Sequence, residues 1–319
     1  MKKMMKLTAL ILTAAMAMTG CGGSGGSADA EGKYKVGIVQ QLEHPALDAA
    51  SLGFQEKLTE LTDGNVVFDY QNAQGEQTNC TTIATKFVSD GVDLIMANAT
   101  TALQSAAAAT ADIPIVGTSV TDYVTAGVVE SNEAPGRNVT GASDLAPIDE
   151  QIAMLMELIP DVQKVGILYC SAEPNSIYQS ELAQVELDKA GVAWAEYTAA
   201  DSNEVQSVVT KAISECDVLY VPTDNTMANN TEIIKNVAVP AGVPVIAGEE
   251  GICSGCGVAT LSISYYDLGA QAAEMAYEIL LMGADPAEMP ATHACQSSDC
   301  YHERSVAHRF AILPAFPDL

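Results

Sequence analysis

The chain has 319 residues and a net charge of −27. That is length for about two domains, and an acidity that repels phosphate backbones and so excludes nucleic acid as a partner. Five phenylalanines and one tryptophan leave Ala, Val, Ile and Leu to fill the cores.

The N-terminus places Lys2, Lys3 and Lys6 ahead of an apolar run from Leu7 to Met18. The run is shorter than the roughly 20 residues of a spanning helix. With its positive start and small-residue exit it reads as an export signal over residues 1–20. The exit, Met18-Thr19-Gly20-Cys21, resembles the lipobox of bacterial lipoproteins, which implies cleavage before Cys21 and lipid on its thiol. Gly22-Gly-Ser-Gly-Gly-Ser27 continues residues 21–32 as a flexible tether. Acyl chains then anchor the protein to the extracytoplasmic face of a bacterial cell membrane.

Beyond the tether, strands and helices alternate. Strands are predicted at residues 35–39, 66–70, 93–97 and 113–117, with helices at 45–61, 76–89 and 102–110 between them. A second set follows: a helix at 149–158, then strands at 164–169, 192–197, 217–221, 243–247 and 258–263, with helices between the first four strands. A last helix runs from Tyr265 to about residue 282. Lys35-Val-Gly-Ile-Val39 recurs as Lys164-Val-Gly-Ile-Leu168, Asp93-Leu-Ile-Met96 as Asp217-Val-Leu-Tyr220, and Ile113-Pro-Ile-Val116 as Val243-Pro-Val-Ile246. Three matched strands in the same order indicate an internal duplication. The expected fold class is α/β: two similar Rossmann-like lobes with parallel sheets and a hinged cleft between them. Residues 33–144 with 265–289 form the N-terminal lobe, and 145–264 with 290–319 the C-terminal lobe. The seam is Thr140-Gly-Ala-Ser-Asp-Leu-Ala-Pro-Ile148, with a second crossing at 262–265.

In open parallel sheets ligands bind beyond the carboxyl ends of the strands, and here those ends are polar in both lobes. Ser, Thr, Asp and Asn also serve there as ordinary helix caps, but all six ends being polar favours a shared cleft. Hydroxyls, amides and helix starts suit a carboxylate. Asp224, Glu249 or Asp144 suits an ammonium. The absence of an Arg or Lys cluster argues against phosphate. An amino acid or another small zwitterion fits. The candidate ligand-binding residues are Gln41, His44, Thr100, Thr101, Ser119, Asp144, Tyr169, Asn175, Ser176, Thr223, Asp224, Asn225 and Glu249, with Tyr169, Tyr265 or Tyr123 as an aromatic wall.

Several motifs together carry a resemblance. They are His44-Pro-Ala-Leu-Asp48 with Gly53-Phe54, Ser119-Val-Thr-Asp122, Asn138-Val-Thr-Gly-Ala-Ser-Asp144, Glu173-Pro-Asn-Ser176, Pro222-Thr-Asp-Asn-Thr226 and Tyr265-Tyr266-Asp-Leu-Gly269. From about residue 33 to 290 the chain resembles the ABC-transporter substrate-binding lipoproteins of the tryptophan/tyrosine-binding type. The resemblance implies a type I periplasmic-binding fold whose lobes close on a ligand, an aromatic amino acid in the family's usual association. It also implies delivery of that ligand to an ABC permease with a cytoplasmic ATPase. The chain departs from the family pattern at Thr100-Thr101 and after Pro290. There three of the four histidines (His293, His302, His308) gather with Cys295 and Cys300, and a divergent or frameshifted C-terminus is expected. A metal site from His293, Cys295, Cys300 and His302 is the sharper alternative.

Excluding Cys21, an odd number of the eight cysteines remains, so no complete disulfide framework forms within the chain. Cys80, Cys170 and Cys216 read as small buried hydrophobes, and Cys253-Ser-Gly-Cys256 as a loop disulfide or two idle thiols. No nucleophile elbow, no phosphate loop and no histidine at a strand end except His44 is found. The chain therefore reads as a binding protein, not an enzyme, with no cofactor. A nucleoside or other small-metabolite binder, or a receptor ectodomain that senses without transport, is the second reading.

Overall fold

A computed structural model describes residues 32–293. The export signal, Cys21, most of the tether and the tail beyond His293 lie outside the described residues. The first lobe contains β1 (Tyr34–Gln40), α1 (Pro45–Leu61), β2 (Val66–Asn72), α2 (Gln77–Asp90), β3 (Leu94–Asn98), α3 (Thr100–Ala109), β4 (Ile115–Val120) and β5 (Val139–Ser143). Next come α4 (Ile148–Leu158), β6 (Lys164–Cys170), α5 (Pro174–Ala190), β7 (Ala193–Ala199), α6 (Val205–Ile213) and β8 (Val218–Val221). The second lobe ends with α7 (Asn225–Asn229), α8 (Thr231–Ala241), β9 (Val245–Ala247), α9 (Glu250–Cys256) and β10 (Ala259–Thr260). The chain then returns through α10 (Tyr265–Tyr277) to β11 (Thr292–His293).

The local reasons are conventional. β3, β4 and β5 are buried at every residue, as strands covered on both faces must be. Pro45 and Pro174 open α1 and α5 at a position where a missing N–H costs nothing. Gly91, Gly191 and Gly242 close α2, α5 and α8 in the left-handed conformation.

Both sheets are wholly parallel, and they share one topology. The first runs β5-β4-β3-β1-β2 with β11 added outside β5, and the second runs β10-β9-β8-β6-β7. Numbered within each lobe, both read 5-4-3-1-2, which is the duplication seen in the sequence. In both lobes the chain leaves its sheet after the fifth strand. Residues 144–147 lead from β5 to α4, which packs against α5 of the second lobe. Residues 261–264 lead from β10 back to α10, which packs against α1, β4 and β5 of the first.

Five sequence expectations change. The seam is narrower than 140–148, because residues 139–143 form β5 and pair with β4. The fourth strand is displaced toward Val120, and the last strand shrinks to two residues. The segment after Gly248 is a helix, α9, where Cys253-Ser-Gly-Cys256 reads as a loop disulfide or two idle thiols; its start is capped by Glu249. Cys253 and Cys256 lie buried within it as free thiols, and Cys80, Cys170 and Cys216 are likewise buried and free. Finally, residues from 290 onward were assigned to the C-terminal lobe, but Thr292 and His293 pair with Ala142 and Ser143 of the first sheet. Thr140 Oγ1 donating to Met289 O at 2.8 Å, and Ala291 N donating to Asn132 O at 2.7 Å, hold that return.

α10 fixes the second crossing by lying directly on α1. A Cβ added at Gly53 would stand 2.1 Å from Tyr266 O, and one at Gly269 1.9 Å from Ala50 O. Each helix thus meets the other backbone to backbone through a glycine, and no rotamer relieves the clash. Gly269→Ala should therefore cost about 2 kcal/mol or more of stability, read as a lowered urea midpoint. An unchanged midpoint would show that the helices can separate freely.

Candidate functional site

In each sheet the strand order reverses between the first and third strands, and a crevice opens there beyond the carboxyl ends. The two crevices face one another. Between them lies a narrow cleft with an open volume of about 10 Å³. The first lobe lines it with His44, Ala46, Leu47 and Ser119, and the second with Asn175, Thr223, Asp224, Asn225, Ala228 and Glu249. Asp144 and Tyr265, one from each crossing, complete the lining.

Buried polar networks hold these residues. Gln40 ends β1, and its Nε2 donates to Leu42 O at 2.9 Å and Asp48 Oδ1 at 2.7 Å. Ser51 Oγ donates to Gln40 Oε1 at 2.6 Å, and Asn98 Nδ2 donates to Leu47 O at 2.8 Å. Together they clamp the first turns of α1, and with them His44, to the ends of β1 and β3. Ser119 sits at φ 55 beside a register irregularity between β4 and β5. A non-glycine residue is costly there and is held only by its surroundings. The irregularity lets its side chain line the cleft. Across the cleft, Glu173 accepts from Asn225 N (3.1 Å), Asn225 Nδ2 (2.7 Å), Thr226 N (2.8 Å) and Thr226 Oγ1 (2.7 Å). It pins the start of α7.

The three acids considered for an ammonium differ in what they already do. Asp224 caps α7: its oxygens accept Met227 N at 2.7 Å and Cys170 N at 2.6 Å. Burial and the nearby Glu173 charge push its pKa up. Glu249 caps α9 through Gly251 N at 2.5 Å and through Ile252 N, and burial pushes it to about 7. Asp144 caps nothing. Its oxygens accept one hydroxyl each, from Thr121 at 3.1 Å and Tyr265 at 2.9 Å, and a carboxylate has room for more. Burial raises its pKa from 3.8 to about 6. Among the described residues no Lys or Arg lines the cleft, so within that lining these acids have no Lys or Arg partner.

Among the described residues, two hydrogen bonds cross the cleft. His44 Nε2 meets Asn225 Oδ1 at 3.1 Å. Gln179 Nε2 of α5 donates to Thr121 Oγ1 at 3.1 Å, and Thr121 Oγ1 in turn donates to Asp144 Oδ1. A chain of bonds therefore runs from the second lobe to the crossing itself.

Eight of the sequence candidates meet in the cleft: His44, Ser119, Asp144, Asn175, Thr223, Asp224, Asn225 and Glu249. Thr100 lines a smaller adjoining pocket with Asp122, Asn175 and Tyr178. Thr101 follows it half-buried, while Gln41 and Ser176 are buried nearby without lining the cleft. Tyr169 is elsewhere. It packs in the second lobe's core with its hydroxyl on Glu196 Oε1 at 2.7 Å. Tyr123 is also core, its hydroxyl on Ala142 O at 3.1 Å. Of the three tyrosines considered for an aromatic wall, the structure brings Tyr265 to the site. Gln179 was missed. Its signal was its place one helical turn after Asn175, on the same face of α5.

Two duplicated lobes, two crossings and a buried polar cleft between facing strand ends define a type I periplasmic binding protein. Residues 35–310 match the ABC transporter substrate binding protein family, and the chain belongs to that family. It is 38% identical over 306 residues to the tyrosine-binding protein of Clostridioides difficile (strain R20291), covering 92% of this chain and 88% of that one. Among solved structures it is similar to an ABC domain from Streptococcus pneumonia in complex with L-Trp. There the TM-score is 0.80 at 33% identity, over 82% of this chain and 89% of that one. A ligand-free, open substrate binding protein with adhesive properties from Clostridium difficile gives a TM-score of 0.63 at 38% identity, over 82% and 89%. The lobes thus follow the ligand-bound relative more closely than the open one of higher identity, in keeping with the two bonds across the cleft. The family match passes Pro290, where divergence was expected.

Gln179→Ala removes one of those bonds, together with the bonds Gln179 makes to Thr223 within the second lobe. The unliganded protein should then open, with a larger radius of gyration in small-angle scattering. An identical scattering curve would show that Gln179 does not hold the lobes.

Proposed function

We propose that the chain is the extracytoplasmic substrate-binding component of an ABC importer. It captures an aromatic amino acid by lobe closure and delivers it to a membrane permease driven by a cytoplasmic ATPase. The observation that carries the ligand class is Asp144, a buried acid in a cleft without a lining cation, with lone pairs to spare at the junction of both crossings. The relatives support the aromatic part, one being a tyrosine-binding protein and one solved with L-Trp. Binding without chemistry is the role that follows from the family.

In this reading the ligand ammonium lies against Asp144 and both lobes contact the rest of the molecule. Contacts to both lobes give the closed form its differential affinity. Anchorage through lipid on Cys21 and a place on the outer face of the membrane belong to the same proposal. Cys21→Ser should release the protein from the membrane fraction, and retention there would refute the anchor.

Thermal unfolding of the protein against amino acids, nucleosides and sugars tests the ligand class. A ligand at 100 times its dissociation constant adds about 2.7 kcal/mol, so stabilisation by tyrosine, tryptophan or phenylalanine is expected. Stabilisation by nucleosides or sugars alone would discard the amino acid.

The sign of the pH dependence follows from Asp144. Its pKa in the closed unliganded cleft is raised from 3.8 to about 6, so ionisation opposes closure as pH rises through that window. An ammonium reverses this by favouring the carboxylate. Affinity should therefore increase as pH rises from 5 to 7, with proton release on binding near pH 6. Asp144→Asn should weaken binding by roughly 100-fold and flatten that pH profile. Wild-type affinity in the variant would remove Asp144 from the site.

A further inference from the structure

The tautomer of His44 is set from the opposite lobe. Glu173 accepts Asn225 Nδ2 at 2.7 Å, which identifies that atom as the amide nitrogen and leaves Oδ1 toward His44. Asn225 Oδ1 can only accept, so the His44 Nε2 that meets it at 3.1 Å carries the hydrogen. His44 is more than nine-tenths buried, and burial pushes its imidazole below its usual value against the opposing charges of Glu173 and Asp48. In a neutral ring with Nε2 protonated, Nδ1 is a bare acceptor, and that buried atom has no partner.

The surroundings say which part of a ligand it meets. The aliphatic side chains lining the cleft are Ala46, Leu47 and Ala228. The first two follow His44 at the start of α1, and the third lies beside Asn225 on α7. The pair therefore shares its two helix starts with the apolar part of the cleft, and on the amino-acid reading the ring lies there. Asp144 at the crossings takes the ammonium.

We infer that His44 Nδ1 accepts a hydrogen bond from the polar tip of the ligand's ring, a phenol O–H or an indole N–H, and so makes the site prefer tyrosine or tryptophan over phenylalanine. The inference rests on the amino-acid reading proposed above. A buried acceptor left without its donor is what rejects the analogue lacking one. Because Asn225 and Glu173 belong to the second lobe, the acceptor is oriented only when the lobes are closed, and discrimination is exercised at closure.

Calorimetric titration with L-tyrosine, L-tryptophan and L-phenylalanine tests this on the unmodified protein and on His44→Phe. The unmodified protein should bind phenylalanine more weakly than the preferred ligand. In His44→Phe the affinity for tyrosine or tryptophan should fall by roughly 10–100-fold, and that for phenylalanine by at most a few-fold. Equal losses for all three would overturn the role of His44 while leaving the amino-acid site standing. Binding of none of the three by the unmodified protein would overturn both. Should His44→Phe fail to fold, nitrogen NMR of the unmodified protein decides. A protonated Nε2, with a bare Nδ1 that shifts with tyrosine or tryptophan but not with phenylalanine, supports the assignment. A protonated Nδ1 in the complex contradicts it.

Discussion

The structure depends on one buried carboxylate. Asp144 stands at the first crossing, accepts the hydroxyl of Tyr265 at the second, and through Thr121 is linked to Gln179 of the opposite lobe. Taking an acid out of water is costly unless its charge is met, and among the described residues no Lys or Arg lines the cleft. Asp144 is therefore an incomplete site at the point where the lobes hinge. A ligand that completes it acts on the hinge directly, and no relay from a distant pocket is required.

The same arrangement gives closure a modest energy scale. Net hydrogen bonds contribute about 0.5–1.5 kcal/mol each, so the His44–Asn225 and Gln179–Thr121 bonds bias the lobes together without locking them. The raised pKa of Asp144 opposes that bias near neutral pH. Opposing terms of similar size leave an open–closed balance of a few kcal/mol, which one small molecule can tip through its differential affinity. The rigid parts sit elsewhere. The α1–α10 contact through Gly53 and Gly269, and the Gln40–Ser51–Asn98 network, hold the first lobe's half of the cleft together.

Much of this was legible in the chain because it rests on pattern. Repeated strands such as Lys35-Val-Gly-Ile-Val39 and Lys164-Val-Gly-Ile-Leu168 reveal the duplication, and polar residues after buried strands mark the cleft. What stayed hidden depends on long-range geometry. Asp224 and Asp144 look equivalent as isolated acids, and only the folded backbone shows one capping α7 and the other capping nothing. Tyr169 closes the predicted strand at 164–169, near where a cleft residue would stand, yet it lies within β6 and points to the core and Glu196. Gln179 lies inside a helix with no turn chemistry to flag it. The return of Thr292–His293 to the first sheet depends on a bond from Thr140, about 150 residues away, that no local signal announces.

The central claim is that the ammonium of an amino acid completes Asp144 where the lobes hinge. A crystal structure of the complex with tyrosine or tryptophan tests it most directly. The account predicts the ammonium within hydrogen-bond distance of Asp144, with the ring among Ala46, Leu47 and Ala228. An ammonium held by Asp224 or Glu249, with Asp144 keeping only its two hydroxyl partners, would contradict it.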